Sequence, residues 1–183
     1  MRKWILAALA VAALGFVGGE LVGTAWAQDD VKAADATKVL FDFEDDQDVT
    51  KWEANKSEIS ASTEHATSGK QSLKVVLNAE KFPGLRTQKF ERDWSGYATL
   101  KFDVFTDAPL NLMMTVKDKK SKDYASRYNN ERIKLKEGAN TVSIPLEDVG
   151  AKIDLKAVLS VTLFGGKMEK VTVIYLDNVR LEK

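Results

Sequence analysis

Apolar and polar side chains alternate through most of the chain after residue 38. Val39, Phe41 and Phe43 share one face of an extended segment, and the same two-residue period returns over residues 100–104 and 110–116. Residues two apart lie on the same face of a strand, so this period indicates strands that bury one face.

The same pattern predicts about ten strands in all. The others lie at residues 52–60, 73–77, 85–90, 131–135, 141–144, 158–164 and 171–181. Turn-forming pairs such as Pro83-Gly84 and Ser95-Gly96 separate them, and the predicted helices at 146–150 and 154–157 are too short to cover a parallel sheet. The expected fold class is all-β, a two-sheet antiparallel β-sandwich of the jelly-roll type.

Residues 1–27 have the pattern of a secretory signal peptide. Arg2 and Lys3 precede an apolar stretch over residues 4–17, and Ala25-Trp26-Ala27 offers a cleavage site. The apolar stretch is shorter than the roughly 20 residues that span a bilayer. We therefore expect a secreted or periplasmic protein with no membrane insertion after cleavage, a flexible leader over residues 28–38 and one jelly-roll β-sandwich domain over 39–183.

Composition excludes several classes of function. The chain has no cysteine, so it forms no disulfide, thiolate metal site or cysteine nucleophile. Basic and acidic residues balance at 27 each, and the run around Lys117 and Lys122 is interrupted by Asp118 and Asp123, which is typical of a solvated hairpin tip. No nucleic-acid partner is predicted. His65 is the sole histidine, and no catalytic motif accompanies it, so no enzyme is predicted.

A carboxylate interrupts the last predicted strand. Asp177 alternates in step with Val173, Tyr175 and Val179, which predicts that the four share a face. An unpaired charge there would cost several kcal/mol of desolvation, and a bound cation is the simplest relief.

Five segments carry a resemblance to a known family. They are Leu-Phe-Asp-Phe-Glu-Asp-Asp at 40–46 with Trp52, Glu-His-Ala-Thr-Ser-Gly-Lys-Gln-Ser-Leu-Lys-Val at 64–75, Asp-Trp-Ser at 93–95, Leu-Lys-Glu-Gly-Ala-Asn-Thr-Val-Ser-Ile-Pro-Leu at 135–146 and Tyr-Leu-Asp-Asn-Val-Arg-Leu at 175–181. In this order, over residues 39–183, they resemble the galactose-binding-like jelly rolls, notably carbohydrate-binding modules of the family 4, 9 and 11 kind.

The resemblance implies a structural calcium ion between the first and last strands. The matching positions are Asp42, Glu44, the turn at residues 68–71 and Asp177, and calcium takes six to eight oxygen ligands from such groups. Alternatively, Asp42 and Glu44 lie on a solvated face and Asp177 accepts backbone hydrogen bonds.

Sugar recognition needs flat apolar surface with polar side chains beside it. If their strands are neighbours, a concave face forms from Lys101, Asp103, Phe105, Asn111, Met113, Thr115, Ser160, Thr162 and Phe164. The predicted ligand-binding set takes two of these, with Arg86 of the strand predicted over 85–90 and three residues of the loop at 123–130. The set is Arg86, Asp103, Asn111, Tyr124, Arg127 and Tyr128. In the alternative interpretation, Tyr128 packs on the sheet edge. Trp52 and Trp94 are predicted to be core residues.

The predicted function is a secreted, non-catalytic module that binds a polysaccharide or oligosaccharide on this face. The alternative is a structural or interaction domain that holds an envelope protein, because one fold hosts many functions.

Overall fold

A computed structural model describes residues 36–183, and strands dominate this part of the chain. The strands are β1 (Thr37–Phe41), β2 (Trp52–Asn55), β3 (Ser57–Ser62), β4 (Ser72–Leu77), β5 (Gly84–Thr87), β6 (Thr99–Thr106), β7 (Leu110–Asp118), β8 (Tyr128–Leu135), β9 (Gly138–Pro145), β10 (Val158–Gly165) and β11 (Thr172–Glu182). Between them lie α1 (Asp46–Thr50), α2 (Leu146–Gly150) and a 3₁₀ helix, Leu155–Ala157. None of the helices in residues 36–183 has the length and apolarity needed to cross a membrane.

The strands form two antiparallel sheets. Sheet A has the order β3-β4-β11-β6-β9, and β1 also pairs with β11. Sheet B has the order β2-β5-β10-β7-β8. The all-β, two-sheet antiparallel sandwich of jelly-roll type is confirmed. β1 begins two residues before the predicted start of the domain, whereas the predicted signal peptide lies outside the described residues.

The strand predicted over residues 52–60 is two strands in different sheets. Lys56 separates β2 from β3 with a φ of 52°, a left-handed conformation that ends one strand and redirects the chain. The prediction of one strand was wrong, because the apolar positions change phase at Lys56, from Trp52 and Ala54 before it to Ile59 and Ala61 after it. Helix α1 was missed; its N-cap is Asp45, whose side chain accepts a hydrogen bond from the N–H of Gln47.

The core lies between the two sheets. Trp94, Phe43 and Phe102 are among its largest fully buried side chains, and Trp52 is 5% exposed. The indole N–H of Trp94 donates to the carbonyl of Glu91 at 2.8 Å, so its one polar group is satisfied. The prediction that both tryptophans are core residues is confirmed.

Strand β11 changes register at the carboxylate that the sequence singled out. The pairing with β6 shifts between Asp177 and Arg180, and Asn178 has a φ of 50°. Val179 therefore joins the core, whereas Asp177 lies with Tyr175 on the outer face of sheet A. The predicted common face of Asp177 and Val179 was wrong because the bulge reverses the alternation.

The loop between β3 and β4, residues 63–71, folds over this outer face, and we call it the covering loop. The ring of His65 stacks on Phe105 with centroids 3.4 Å apart, and the hydroxyl of Tyr175 donates to Glu64 at 2.7 Å. At the far end of the loop, the carboxylate of Glu44 accepts the N–H groups of residues 70 and 71, both at 2.7 Å. Ring contacts and carboxylate hydrogen bonds thus hold the loop on sheet A.

We predict that Gly69→Ala destabilises the domain by about 1 kcal/mol more than Gly138→Ala. Both glycines have a left-handed backbone, with φ of 66° and 89°. A Cβ at Gly69 would overlap the carboxyl group of Glu44, whereas a Cβ at Gly138 would meet open space. Urea unfolding of both variants measures the difference; equal losses would show that the contact between Glu44 and the turn adds little stability.

Candidate functional site

A groove of about 440 Å³ crosses the outer face of sheet B. Residues of β2, β5, β7 and β10 line it, together with one residue from each of two flanking loops. The lining residues are Glu53, Ala54, Asn55, Phe82, Gly84, Leu85, Arg86, Thr115, Lys117, Arg127, Thr162 and Phe164. All but Phe82 and Arg127 lie on paired strands, so the sheet fixes their positions.

A row of polar side chains runs across all five strands of sheet B. Glu53 is opposite Arg86, Arg86 opposite Thr162, Thr162 opposite Thr115, and Thr115 opposite Asn129. The guanidinium of Arg86 donates to Glu53 at 2.6 Å, and the hydroxyl of Thr115 donates to the Asn129 carbonyl oxygen at 3.4 Å. Guanidinium, carboxylate, hydroxyl and amide groups together offer both donors and acceptors to a polar ligand.

Two phenylalanines form an apolar part of the groove. The rings of Phe82 and Phe164 meet edge to face with centroids 6.3 Å apart, and Phe82 is 54% exposed. Phe82 has a φ of 60°, and its N–H donates to the carbonyl of Gly166 at 2.9 Å. A left-handed phenylalanine costs about 1–2 kcal/mol, and strain of this kind clusters at ligand sites.

The loop between β7 and β8 borders the groove. Arg127 lies over the ring of Tyr124, 5.0 Å from its centroid, and its Nε donates to Asn129 at 3.0 Å. The hydroxyl of Tyr124 bonds to Glu131, while its ring is 56% exposed. The hydrogen bond to Asn129 and the contact with the Tyr124 ring hold the Arg127 guanidinium at the edge of the groove.

The predicted ligand-binding set is only partly brought together. Arg86 and Arg127 line the groove, and Tyr124 lies beside it through its contact with Arg127. Asn111 is exposed on β7 opposite Lys134, outside the lining. Tyr128 packs against the core, and burial raises the pKa of its hydroxyl, as the alternative interpretation expected.

The prediction that Asp103 shares this face was wrong. Asp103 lies on β6 in sheet A, whereas β7 and β10 are neighbours in sheet B, with Thr115 opposite Thr162. The short link between β6 and β7 resembles a hairpin turn in sequence, but it carries the chain from one sheet to the other. Sequence reasoning missed Phe82, although an aromatic residue directly before Pro83-Gly84 could have marked an exposed ring in a turn.

The predicted metal ligands are engaged by N–H donors. Asp177 accepts the N–H groups of Thr67 and Ser68 at 2.6 and 2.8 Å and that of Asn178 at 2.6 Å. Glu44 accepts two N–H groups of the covering loop, and one oxygen of Asp42 accepts the N–H of Glu44 at 3.3 Å.

Backbone N–H groups surround these carboxylates, and they stabilise an anion and not a cation, since calcium is bound by oxygen lone pairs. Within residues 36–183, no three or more His, Asp or Glu side chains are grouped to hold a metal ion. The residues do not fit a calcium cage, and calcium binding stays a prediction from the resemblance.

A second acid lies directly opposite Asp177. Asp103 pairs with it in register on β6, and the hydroxyl of Thr67 lies 3.0 and 3.1 Å from one oxygen of each. Arg180 bonds to Asp103 at 3.4 Å, and Asn178 donates to it at 3.0 Å. Burial raises the pKa of Asp177 against the opposing effect of its hydrogen bonds. The network explains why Asp103 is buried and not available to a ligand.

Comparison with known families gives one match over most of the chain. The model of a family described as a carbohydrate binding domain (family 11) matches residues 27–177. A search of curated proteins by sequence finds no match.

Solved structures similar to this chain share its fold. A family 11 carbohydrate-binding module from Clostridium thermocellum, in complex with a β-1,3-1,4-mixed-linked tetrasaccharide, has a TM-score of 0.59 at 17% identity, covering 80% of this chain and 95% of that one. An exo-β-agarase has a TM-score of 0.65 at 18% identity over 79% of this chain, which spans 24% of the agarase. The CBM22-1 xylan-binding domain of Paenibacillus barcinonensis Xyn10C has a TM-score of 0.54 at 17% identity, covering 82% and 97%.

Thermal unfolding with and without a chelator tests the calcium prediction. The N–H donors at Asp177 and Glu44 lead us to expect that EDTA and added calcium leave the Tm unchanged. A calcium-dependent rise in Tm that Asp177→Asn abolishes would contradict this expectation and support a cation at the covering loop.

Proposed function

The chain belongs to the family 11 carbohydrate-binding domains, and from this premise we propose that it binds a polysaccharide or oligosaccharide in the groove of sheet B. The mixed-linked tetrasaccharide bound by a family member of the same fold supports a β-linked chain as the ligand. The groove is open along the sheet, so it suits an internal stretch of a chain and not only a chain end.

Phe82 is the observation that carries the proposal. A phenylalanine that is 54% exposed and held at a φ of 60° gains little from burial and costs backbone energy. A flat ring in this position offers its face to the CH groups of a sugar. Phe164 beside it extends the apolar surface.

The polar row provides the second half of recognition. Arg86 and Glu53 pair with each other and retain free hydrogen-bonding capacity for sugar hydroxyls. The hydroxyls of Thr115 and Thr162 lie between them and Arg127. A sugar that stacks on Phe82 would thus meet donors and acceptors across the width of the sheet.

The finer parts of the proposal rest on the groove residues and on the sequence. We propose a non-catalytic domain, because the groove holds one carboxylate, Glu53, whereas glycoside hydrolysis uses a pair across the bond. The pattern of residues 1–27 supports a secreted or periplasmic location. An envelope protein as partner stays a prediction.

We predict that Phe82→Gly weakens polysaccharide binding about tenfold, or ~1.4 kcal/mol, without loss of stability beyond about 1 kcal/mol. Glycine removes the ring and tolerates the left-handed backbone. Affinity electrophoresis in gels that contain mixed-linked β-glucan, xylan or agarose measures binding, and urea unfolding measures stability.

Val171→Gly is the matched control, because Val171 is also an exposed apolar residue, at 56%, but lies outside the groove. It should leave binding unchanged. Retained binding in Phe82→Gly, or a loss of stability of the 3–5 kcal/mol expected for a core phenylalanine, would show that Phe82 is not a sugar platform. No retardation of the wild type in any gel would contradict the proposal itself.

A further inference from the structure

The groove carries an excess of positive charge that the whole chain does not have. Basic and acidic residues of the chain balance at 27 each. Among the residues that line the groove, Arg86, Lys117 and Arg127 are basic and Glu53 alone is acidic. The positive charge is therefore concentrated at this site.

The excess resides at one end of the groove. Arg86 is neutralised by Glu53 at 2.6 Å. Lys117 and Arg127, by contrast, have no carboxylate within 4.0 Å among residues 36–183. Both side chains are partly buried, so bulk water screens their charges less than at an open surface.

The register of β7 and β8 brings these two cations together. Thr115 is opposite Asn129, and Val116 is opposite Tyr128, the first residue of β8, so Lys117 and Arg127 each lie one residue beyond this last pair, at the same end of the two strands. Thr115, Lys117 and Arg127 all line the groove, which puts the two charges on the same face. Like charges that line one groove without a neutralising partner repel each other, and this repulsion is destabilising.

Nearby acids do not remove this cost. Asp118 is buried, and its oxygens accept hydrogen bonds from the backbone of residues 120, 121 and 154. Asp123 accepts the N–H of Ser126 at 2.9 Å, and its charge attracts Arg127 only from beyond ion-pair distance, while Glu131 bonds to Tyr124. The pair of cations is left for a negative group that enters the groove.

We propose that Lys117 and Arg127 bind an acidic substituent, a carboxylate or a sulfate group, on the polysaccharide. The groove thereby prefers an anionic glycan to the neutral form of the same chain. This inference rests on the proposed function and specifies its ligand class. Phe82 and the polar row hold the sugar backbone, and the two cations recognise its charge.

Binding to matched polymers tests the preference. The probes are hydroxyethyl cellulose, carboxymethyl cellulose and cellulose sulfate, and agarose with its sulfated derivative. We expect at least one anionic form to bind the full-length protein about tenfold more tightly than its neutral counterpart in low salt, and the advantage to shrink as salt increases. The carboxylated and sulfated arms distinguish the two kinds of acid.

A double variant assigns the effect to the pair. In the double variant Lys117→Gln, Arg127→Gln, the affinity ratio of anionic to neutral polymer should fall to about one. The control variant Arg92→Gln, Lys136→Gln removes the same charge outside the groove and should keep the wild-type ratio. Circular dichroism and Tm verify that both variants fold.

Three results would overturn the inference. Equal binding of neutral and anionic forms by the wild type would contradict it while leaving glycan binding intact. Equally tight binding of polyglutamate would show general attraction to polyanions and not recognition of a sugar. Absence of binding to all these polymers, together with no retardation by mixed-linked β-glucan or xylan, would remove the proposed function as well.

Discussion

The buried carboxylate of Asp177 is the constraint that determines where the covering loop lies. It is 1% exposed on the central strand of sheet A, so it must be hydrogen-bonded. The donors come from Thr67 and Ser68, 109 or more residues away in sequence. Satisfying one buried charge therefore draws the covering loop onto sheet A, and Glu44 fixes the other end of that loop.

This coverage decides which face can bind a ligand. Sheets A and B pack through their inner faces, and the covering loop occupies the outer face of sheet A with contacts such as His65 on Phe105. The outer face of sheet B keeps its groove, lined by charged, hydroxyl and aromatic side chains. Asp103 of sheet A looks suitable for a ligand, but it accepts hydrogen bonds from Thr67 of the covering loop and Thr141 of the neighbouring strand β9.

The sequence predicts the positions of strands and helices, which depend on neighbouring residues along the chain. It does not predict which strands pair, because that depends on residues far away in sequence. Alternation located nearly every strand, and helix 146–150 was correct to the residue. The partner of a strand leaves no such pattern: β6 and β7 are adjacent in sequence yet lie in different sheets, which misplaced Asp103. Of the ligand set, Arg86 and Arg127 were correct as groove residues because they lie on or beside strands of sheet B.

Residues that violate local rules carry the information that periodicity lacks. Phe82 and Asn178 both have left-handed backbones, but their side chains differ in what they contact within the fold. At Asn178 the bulge lets the side chain donate to Asp103 and its N–H bond to Asp177, so the strain is offset within the fold. At Phe82 only the N–H is engaged, and the ring remains exposed at the groove. Backbone strain that no contact within the fold offsets indicates a ligand site at Phe82. In the same way, the positive charges of Lys117 and Arg127, which pair with no carboxylate among the described residues, indicate an anionic group on that ligand.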